Sequence, residues 1–258
     1  MLGALSRWWT DRREAAALRR RPIADDLWKR TLVRYPFLRT PADPGAAALR
    51  RMTSLFLDRK EFTAVPPLRL TNDVVVAVAA QACLPVLKLG LDRYDGFVGI
   101  VLQPDQVVAR RQYVDEDGIV HEYDEVLSGE AVQGGPVMLS WRDVRTSGRS
   151  AAEGYNVVIH EFAHVLDMAD GLADGVPLLP PDLPRRQWLD TLMREYETFV
   201  ARVDAQQETA LDPYGAEAPE EFFAVASEAL FVDPERLRAE HPALHEMLAR
   251  FYRVDPAN

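Results

Sequence analysis

The sequence contains very little cysteine, with Cys83 the single example among 258 residues. One thiol cannot form an intramolecular disulfide, and the apolar neighbours of Cys83 predict a small core residue. Long apolar runs are absent as well. The longest, residues 74–89, is interrupted by Gln81, Pro85 and Lys88 and is too short to cross a bilayer. We therefore expect neither a disulfide framework nor a membrane-spanning helix.

A secretory leader and an excess of basic residues are also missing. Arg7 follows Met1 too closely to leave room for the apolar segment of a signal peptide, which predicts a cytoplasmic protein. The 30 Lys and Arg residues are outnumbered by 40 Asp and Glu residues, so the net charge is −10. A general nucleic-acid binder needs a basic face that displaces counterions from phosphates. We expect no direct nucleic-acid partner and no membrane partner.

Histidine is rare, with five residues, yet two of them stand four apart in a His-Glu-x-x-His motif at residues 160–164. Residues 154–166 carry no charge except Glu161, which is typical of a buried helix. Residues four apart share one helical face, so His160 and His164 can reach one metal ion. Glu161 leaves the helix about 100° from His160, where it can contact a metal-bound water. The motif predicts a zinc hydrolase with Glu161 as general base.

The apolar spacing changes along the chain and predicts the fold class. Residues 97–102 predict a buried strand, and residues 107–113 and 119–127 predict a hairpin around residues 115–118. Residues 134–141 predict a further strand, which could form an edge where a peptide substrate adds by main-chain hydrogen bonds. Helical spacing dominates before and after this region. We expect an α+β fold that is mostly helical, with a small central mixed sheet.

A zinc hydrolase of this kind needs a third protein ligand, and two routes to it remain open. In the metzincin route the ligand follows His164 by six residues, where Asp170 stands. That route uses a glycine to break the helix, and this chain has Asp167 at that position. The metzincin pattern is therefore the less favoured alternative.

The other route takes a glutamate from a second helix, predicted to begin at Pro219 and to run to about residue 232. Glu220 lies in its first turn, where the helix dipole favours a carboxylate without any further role. Glu221 and Glu228 are seven apart and share a face. Spacing does not choose between Glu221 and Glu228.

Several short segments between about residues 45 and 255 form a more specific pattern than the motif alone. They are Cys83-Leu84-Pro85-Val86-Leu87, Leu91-Asp92, Asp95-Gly96-Phe97, Gly135-Pro136-Val137, His160-Glu161-Phe162-Ala163-His164, Leu166-Asp167, Gly175-Val176-Pro177, Tyr214 and Pro219-Glu220-Glu221-Phe222-Phe223-Ala224-Val225. In this order they resemble the Mlc titration factor A family of zinc peptidases, which are glucose-regulated and gluzincin-like. The first 40 residues match least. We predict a variable helical segment over residues 1–40 and a zincin-like metallopeptidase domain over residues 41–258.

The resemblance implies one Zn²⁺ per chain, held by His160, His164 and Glu221, with Glu161 as the catalytic base. It also implies that Tyr214 lines the active site, where a phenol could donate a hydrogen bond to an oxyanion. The implied activity is that of an aminopeptidase-like zinc metallopeptidase acting on peptide substrates. An alternative of a different class is a regulatory protein that binds an Mlc-like transcriptional repressor, with peptidase activity secondary.

Two further groups of polar residues, Asp167 and the pair His241 and His245, lie outside the implied ligand set. Many related zincins place an acid four residues after the ligand glutamate, but Val225 stands there. Asp167 is a candidate for the missing outer-shell partner, and a plain helix-end acid is equally consistent. His241 and His245 are also four apart, but Pro242 lies between them. We predict that these two histidines are surface residues, because a metal site needs further ligands.

Overall fold

The computed structural model describes residues 12–39, 43–114, 120–150 and 154–254, and helices make up most of this part of the chain. The helices are α1 (residues 12–20), α2 (Asp25–Arg34), α3 (Asp43–Arg59), α4 (Asn72–Cys83), α5 (Trp141–Ser150), α6 (Val157–Asp167), α7 (Arg185–Asp204), α8 (Pro219–Val232), α9 (Pro234–Glu240) and α10 (Pro242–Tyr252). Short 3₁₀ segments cover Pro36–Leu38, Leu91–Tyr94, Met168–Asp170 and Pro213–Ala216. None of the described helices combines the length and apolar character that crossing a membrane requires.

The strands form one mixed sheet and one separate hairpin. They are β1 (Glu61–Ala64), β2 (Gly99–Gln103), β3 (Val107–Val114), β4 (Val120–Leu127), β5 (Gly129–Ala131) and β6 (Val137–Ser140). The sheet has the order β1-β2-β6-β5, with the first three strands parallel and β5 antiparallel to β6. Strands β3 and β4 pair as the predicted hairpin; residues 115–118 of its predicted turn lie outside the described residues. The expected mostly helical α+β class with a small mixed sheet is confirmed.

The prediction that the strand within residues 134–141 forms a sheet edge is wrong. Strand β6 pairs on one side with β2, where Ile100 lies opposite Val137, and on the other with β5, where Gly129 lies opposite Leu139. The edge strand on this side of the sheet is β5. Strand β5 has three residues, too few for the alternation of a strand to appear in the sequence. The sequence therefore points to β6 as the edge instead of β5.

An aromatic cluster anchors the motif helix α6 on the side away from its histidines. Phe162 follows His160 by two residues and lies about 200° further round the helix. Its ring is fully buried, with its centroid 4.9 Å from that of Tyr94 and 5.8 Å from those of Phe56 and Phe97. These contacts join α6 to α3 and to the segment before β2. The orientation of α6 therefore follows from packing behind the motif.

The N-terminal helices share the same core. Ala17, Leu27 and Trp28 are buried in one hydrophobic cluster with Phe162, and Cys83 is fully buried there as predicted. Burial raises the pKa of the Cys83 thiol, so this residue is an inert core thiol. The division of the chain at residue 40 stays a prediction.

Helix α8 lies along α6 and brings its carboxylates to the motif. It begins at Pro219 in its first turn and ends at Val232, as the sequence predicts. Trp188 of α7 supports it from behind, with its ring centroid 5.9 Å from that of Phe223. The Trp188 indole donates a 2.8 Å hydrogen bond to the carbonyl of Gly175, which fixes the loop that follows α6.

Candidate metal centre

Three ligand-type atoms converge between α6 and α8. The Nε2 atoms of His160 and His164 are 3.1 Å apart, and Oε2 of Glu221 lies 3.1 Å from the first and 3.3 Å from the second. A tetrahedral zinc ion with bonds of about 2.0–2.1 Å separates its ligand atoms by about 3.3 Å. Among the described residues, these three side chains form the group that could hold a metal ion. The spacing fits zinc.

The protonation of His160 supports the same conclusion. Its Nδ1 atom lies 2.7 Å from Oε1 of Glu228, so Nδ1–H donates to that carboxylate, and in the neutral ring Nε2 is the nitrogen left with a lone pair. Lone pairs from the ring of His160 and from Glu221 then point into one small space. Burial opposes a charged His160, yet Glu228 and Glu221 raise its pKa well above the ordinary value, so without a metal the ring favours a second proton on Nε2, which a metal ion would displace. The carboxylates around His160 favour a positive charge between the three ligand-type atoms. Two neutral imidazoles and a carboxylate are a donor set that suits zinc.

Glu228 lies behind the three ligand-type residues. Its side chain is 1% exposed, and its second oxygen accepts a hydrogen bond from the backbone N–H of Asn156. Asn156 in turn caps α6, since its Oδ1 accepts the Ile159 N–H at 3.1 Å. Glu221 and Glu228, which spacing could not separate, therefore lie on opposite sides of the His160 ring.

Asp170 and Asp167 lie elsewhere. Asp170 is in the 3₁₀ turn after α6, where its carboxylate accepts the Leu172 N–H at 3.2 Å. Asp167 is fully buried and accepts the Gly175 N–H at 2.9 Å; burial raises its pKa to about 7. Within the described residues no hydrogen bond joins Asp167 to His160 or His164. Asp167 holds the loop after α6, and the outer-shell contact to His160 comes from Glu228.

Glu161 lies beside the three ligand-type residues and against the edge strand. Its side chain is buried, and burial raises its pKa to about 7. The strand β5 approaches so closely that a Cβ atom at Gly129 would lie 2.7 Å from the Glu161 carboxyl carbon. A side chain at this position would therefore displace the Glu161 carboxyl group. The sequence hardly indicates this close approach, because a single glycine next to a predicted strand is equally typical of a turn or a loop.

A cavity of about 180 Å³ opens over Glu161 and His160. Tyr214 lines it, 38% exposed, with its ring centroid 6.0 Å from that of His160. Burial, with smaller effects from Glu221 and other acids, raises the pKa of its phenol. Tyr155 also lines the cavity. Sequence reasoning did not single out Tyr155, whose position just before α6 carries no motif.

The prediction that His241 and His245 are surface residues is wrong. They are 2% and 3% exposed. His241 precedes α10 and packs between the rings of Phe199 and Phe222, with Nδ1 3.0 Å from the Glu195 carboxylate. Helix α7 covers this end of α10, which spacing around Pro242 does not indicate. Neither histidine belongs to the metal-type group found among the described residues. His121 lies in β4, as a strand residue.

Comparison with known proteins identifies the family. A model described as glucose-regulated metallo-peptidase M90 matches residues 6–253. The chain belongs to this family. Mlc titration factor A of Klebsiella pneumoniae is 36% identical over 235 residues, which cover 89% of this chain and 86% of that protein. The Salmonella arizonae protein of the same name is 35% identical over 238 residues, covering 91% and 93%.

A further relative carries no functional name. An uncharacterised protein of Synechocystis is 34% identical over 251 residues, which cover 96% of this chain and 90% of that protein. The family match confirms the resemblance seen in the short segments, and it makes this chain a member of a metallopeptidase family. Such a family implies a metal, and the His160, His164 and Glu221 group offers a site for one.

The contact between Glu228 and His160 predicts a specific loss of metal affinity. In Glu228→Gln the charged acceptor at Nδ1 becomes a neutral amide, so the ring is a weaker and less firmly oriented ligand. We expect zinc affinity to fall about 10- to 100-fold, measured by competition with a chromophoric chelator. The exposed Glu235→Gln on α9 is the matched control. Equal affinity in Glu228→Gln and wild type would rule out this role.

The buried carboxyl of Glu161 predicts a pH-dependent stability in the metal-free protein. Its pKa rises from 4.5 to about 7 on folding, so the folded state favours the protonated form. Stability from this proton is present below pH 4.5 and is lost as pH rises through 7. The free energy of unfolding of Glu161→Gln should therefore exceed that of wild type by a margin that is about 2–3 kcal/mol larger at pH 8 than at pH 5. Urea unfolding in chelator measures this; a pH-independent difference would contradict it.

Proposed function

We propose that this protein is a zinc-dependent metallopeptidase with aminopeptidase-like activity. His160, His164 and Glu221 hold the zinc ion, and Glu161 is the general base. The observation that carries the proposal is the convergence of the three ligand atoms at 3.1–3.3 Å beside a buried glutamate. When bound there, zinc supplies a Lewis acid that polarises a scissile carbonyl and lowers the pKa of water.

The residues of the chain account for the proton transfers. Glu161 accepts a proton from the attacking water and later gives it to the leaving amine. A base with a pKa near neutrality suits both transfers, and burial supplies that shift in the metal-free site. Tyr214 faces the same cavity, and its phenol donates a hydrogen bond to the oxygen that becomes negative in the tetrahedral intermediate.

The strand β5 supports an extended peptide as substrate. Only β6 pairs with β5 in the described part of the sheet, so the outer edge of β5 can accept a substrate strand by main-chain hydrogen bonds. Gly129 on β5 touches the Glu161 side chain. A peptide added at this edge therefore passes directly over the general base.

Acidic side chains near Tyr214 support the aminopeptidase-like specificity. The exposed Glu217 has a raised pKa, first because its carboxyl group is partly desolvated and then because Glu221 and Glu125 lie close. Asp212 lines the same cavity as Tyr214. This negative potential favours the α-ammonium group of a substrate and disfavours an acetylated one.

The test combines metal content with hydrolysis. We expect about one zinc per chain by mass spectrometry of the metal, with a clear loss in Glu221→Gln. Glu161→Gln should keep its zinc and lose about 10²-fold or more of its activity on alanyl and leucyl anilides. Glu220→Gln, one residue from the ligand, is the matched control and should keep both properties.

Three results would contradict the proposal. Zinc retained in Glu221→Gln would exclude the ligand set, and undiminished hydrolysis in Glu161→Gln would exclude the base. Equal turnover of free and N-acetylated anilides would exclude the aminopeptidase-like specificity.

A second candidate function is supported by the names of the relatives. Two of them, at 35–36% identity over most of the chain, are called Mlc titration factor A. We propose as the alternative a regulatory protein that binds an Mlc-like transcriptional repressor, with the peptidase site secondary. Bound zinc without hydrolysis of any peptide would favour this alternative. The presence of Glu161 beside the three ligand-type residues favours the peptidase.

A further inference from the structure

A second concave surface lies between α2 and α5, apart from the metal centre. This basic groove has a volume of about 1000 Å³ and is lined by Lys29, Arg30 and Arg34 of α2 and by Arg145 and Arg149 of α5. None of its lining residues also lines the cavity over Glu161. Five basic side chains, against the single acid Asp73 among the lining residues, thus gather in one groove of a chain whose net charge is −10.

Most of these cations are not neutralised within the fold. Arg30 is paired, with nitrogens 2.8 Å from Asp26 and 3.3 Å from Asp73. Lys29, Arg34, Arg145 and Arg149 form no salt bridge with an acidic side chain anywhere in the described residues. Within the described residues, the groove therefore holds four cations without an acidic partner.

The helix dipole accounts for only part of this arrangement. Arg34 and Arg149 lie in the last turns of α2 and α5, where a cation is favoured without any ligand. Lys29 and Arg145 are in the middle of their helices, where the dipole gives them no such advantage. The helix dipole therefore does not explain why these two cations face the same groove.

The two helices hold the groove in a fixed shape. Gly148 of α5 lies so close to α2 that a Cβ atom there would overlap the Arg34 carbonyl oxygen. Tyr35 lines the groove between these helices and is fully buried. The groove is preorganised rather than assembled by binding.

We propose that the basic groove binds an acidic segment of a protein partner. Guanidinium groups pair with carboxylates in a bidentate manner, and three of the four unpaired cations are arginines. The groove is larger than one small anion requires, and Val33, 68% exposed, lines it beside the charges. An acidic peptide with an apolar side chain matches both features. The chain's net charge of −10 repels long polyanions such as DNA, whereas a short segment reaches the local positive field.

The test is fluorescence anisotropy with a short labelled peptide rich in Asp and Glu that contains one leucine. We expect saturable binding to the wild-type zinc-loaded protein that weakens as salt rises. Arg145→Glu with Arg149→Glu should weaken binding about ten-fold or more. The milder pair, Arg145→Gln with Arg149→Gln, should give an intermediate loss. Mass spectrometry checks that the peptide stays intact.

Matched controls separate groove binding from general charge effects. Arg186→Glu with Arg194→Glu makes the same charge change on exposed positions of α7 and should leave binding unchanged. A peptide with Asn and Gln in place of the acids should not bind. Equal weakening by the two Arg→Glu pairs, or no effect of either groove pair, would overturn the proposal. Tighter binding of a DNA duplex or of phosphatidylserine vesicles through Arg145 and Arg149 would also overturn it.

Discussion

The buried carboxylate of Glu228 is the contact on which the geometry of the candidate metal centre depends. One of its oxygens accepts from His160 Nδ1 and the other from the backbone of Asn156, which caps α6. The same side chain thus fixes the ring of one ligand and the start of the helix that carries both histidines. A buried carboxylate is stable only when its hydrogen bonds are made. The position of α8 against α6 is therefore tied to the geometry of the site.

This contact continues into a buried polar network. Asn156 Nδ2 donates to Gln81 Oε1 at 3.0 Å, and Ser147 Oγ donates to the same oxygen at 2.7 Å. Helices α4 and α5 are thereby joined to the beginning of α6, while Phe162 and its aromatic neighbours hold the opposite face. The motif helix is fixed by directional hydrogen bonds at its start and by dense packing behind it. Such support keeps ligand atoms in place before a metal binds.

The sequence predicts the local features of this site well and its long-range features poorly. The spacing of His160 and His164 is a property of one helix, and the helix bearing Glu221 shows its start in Pro219. The separate roles of Glu221 and Glu228 depend on how two helices dock, which a seven-residue spacing does not encode. Family resemblance favours Glu221 as the ligand-type residue, and the sequence offers Asp167 for the contact behind His160 that Glu228 makes in the structure. Gly129 is significant only because β5 passes over Glu161, a tertiary contact between distant segments.

The central claim is that zinc binds between the two histidines and Glu221, with Glu228 behind His160. X-ray diffraction on crystals grown with zinc, at energies above and below the zinc absorption edge, tests it most directly. The account predicts one strong anomalous peak about 2 Å from His160 Nε2, His164 Nε2 and Glu221 Oε2, with Glu228 still bonded to Nδ1. A peak bound by Glu228 or Asp170 in place of Glu221, or no peak at the motif, would contradict it.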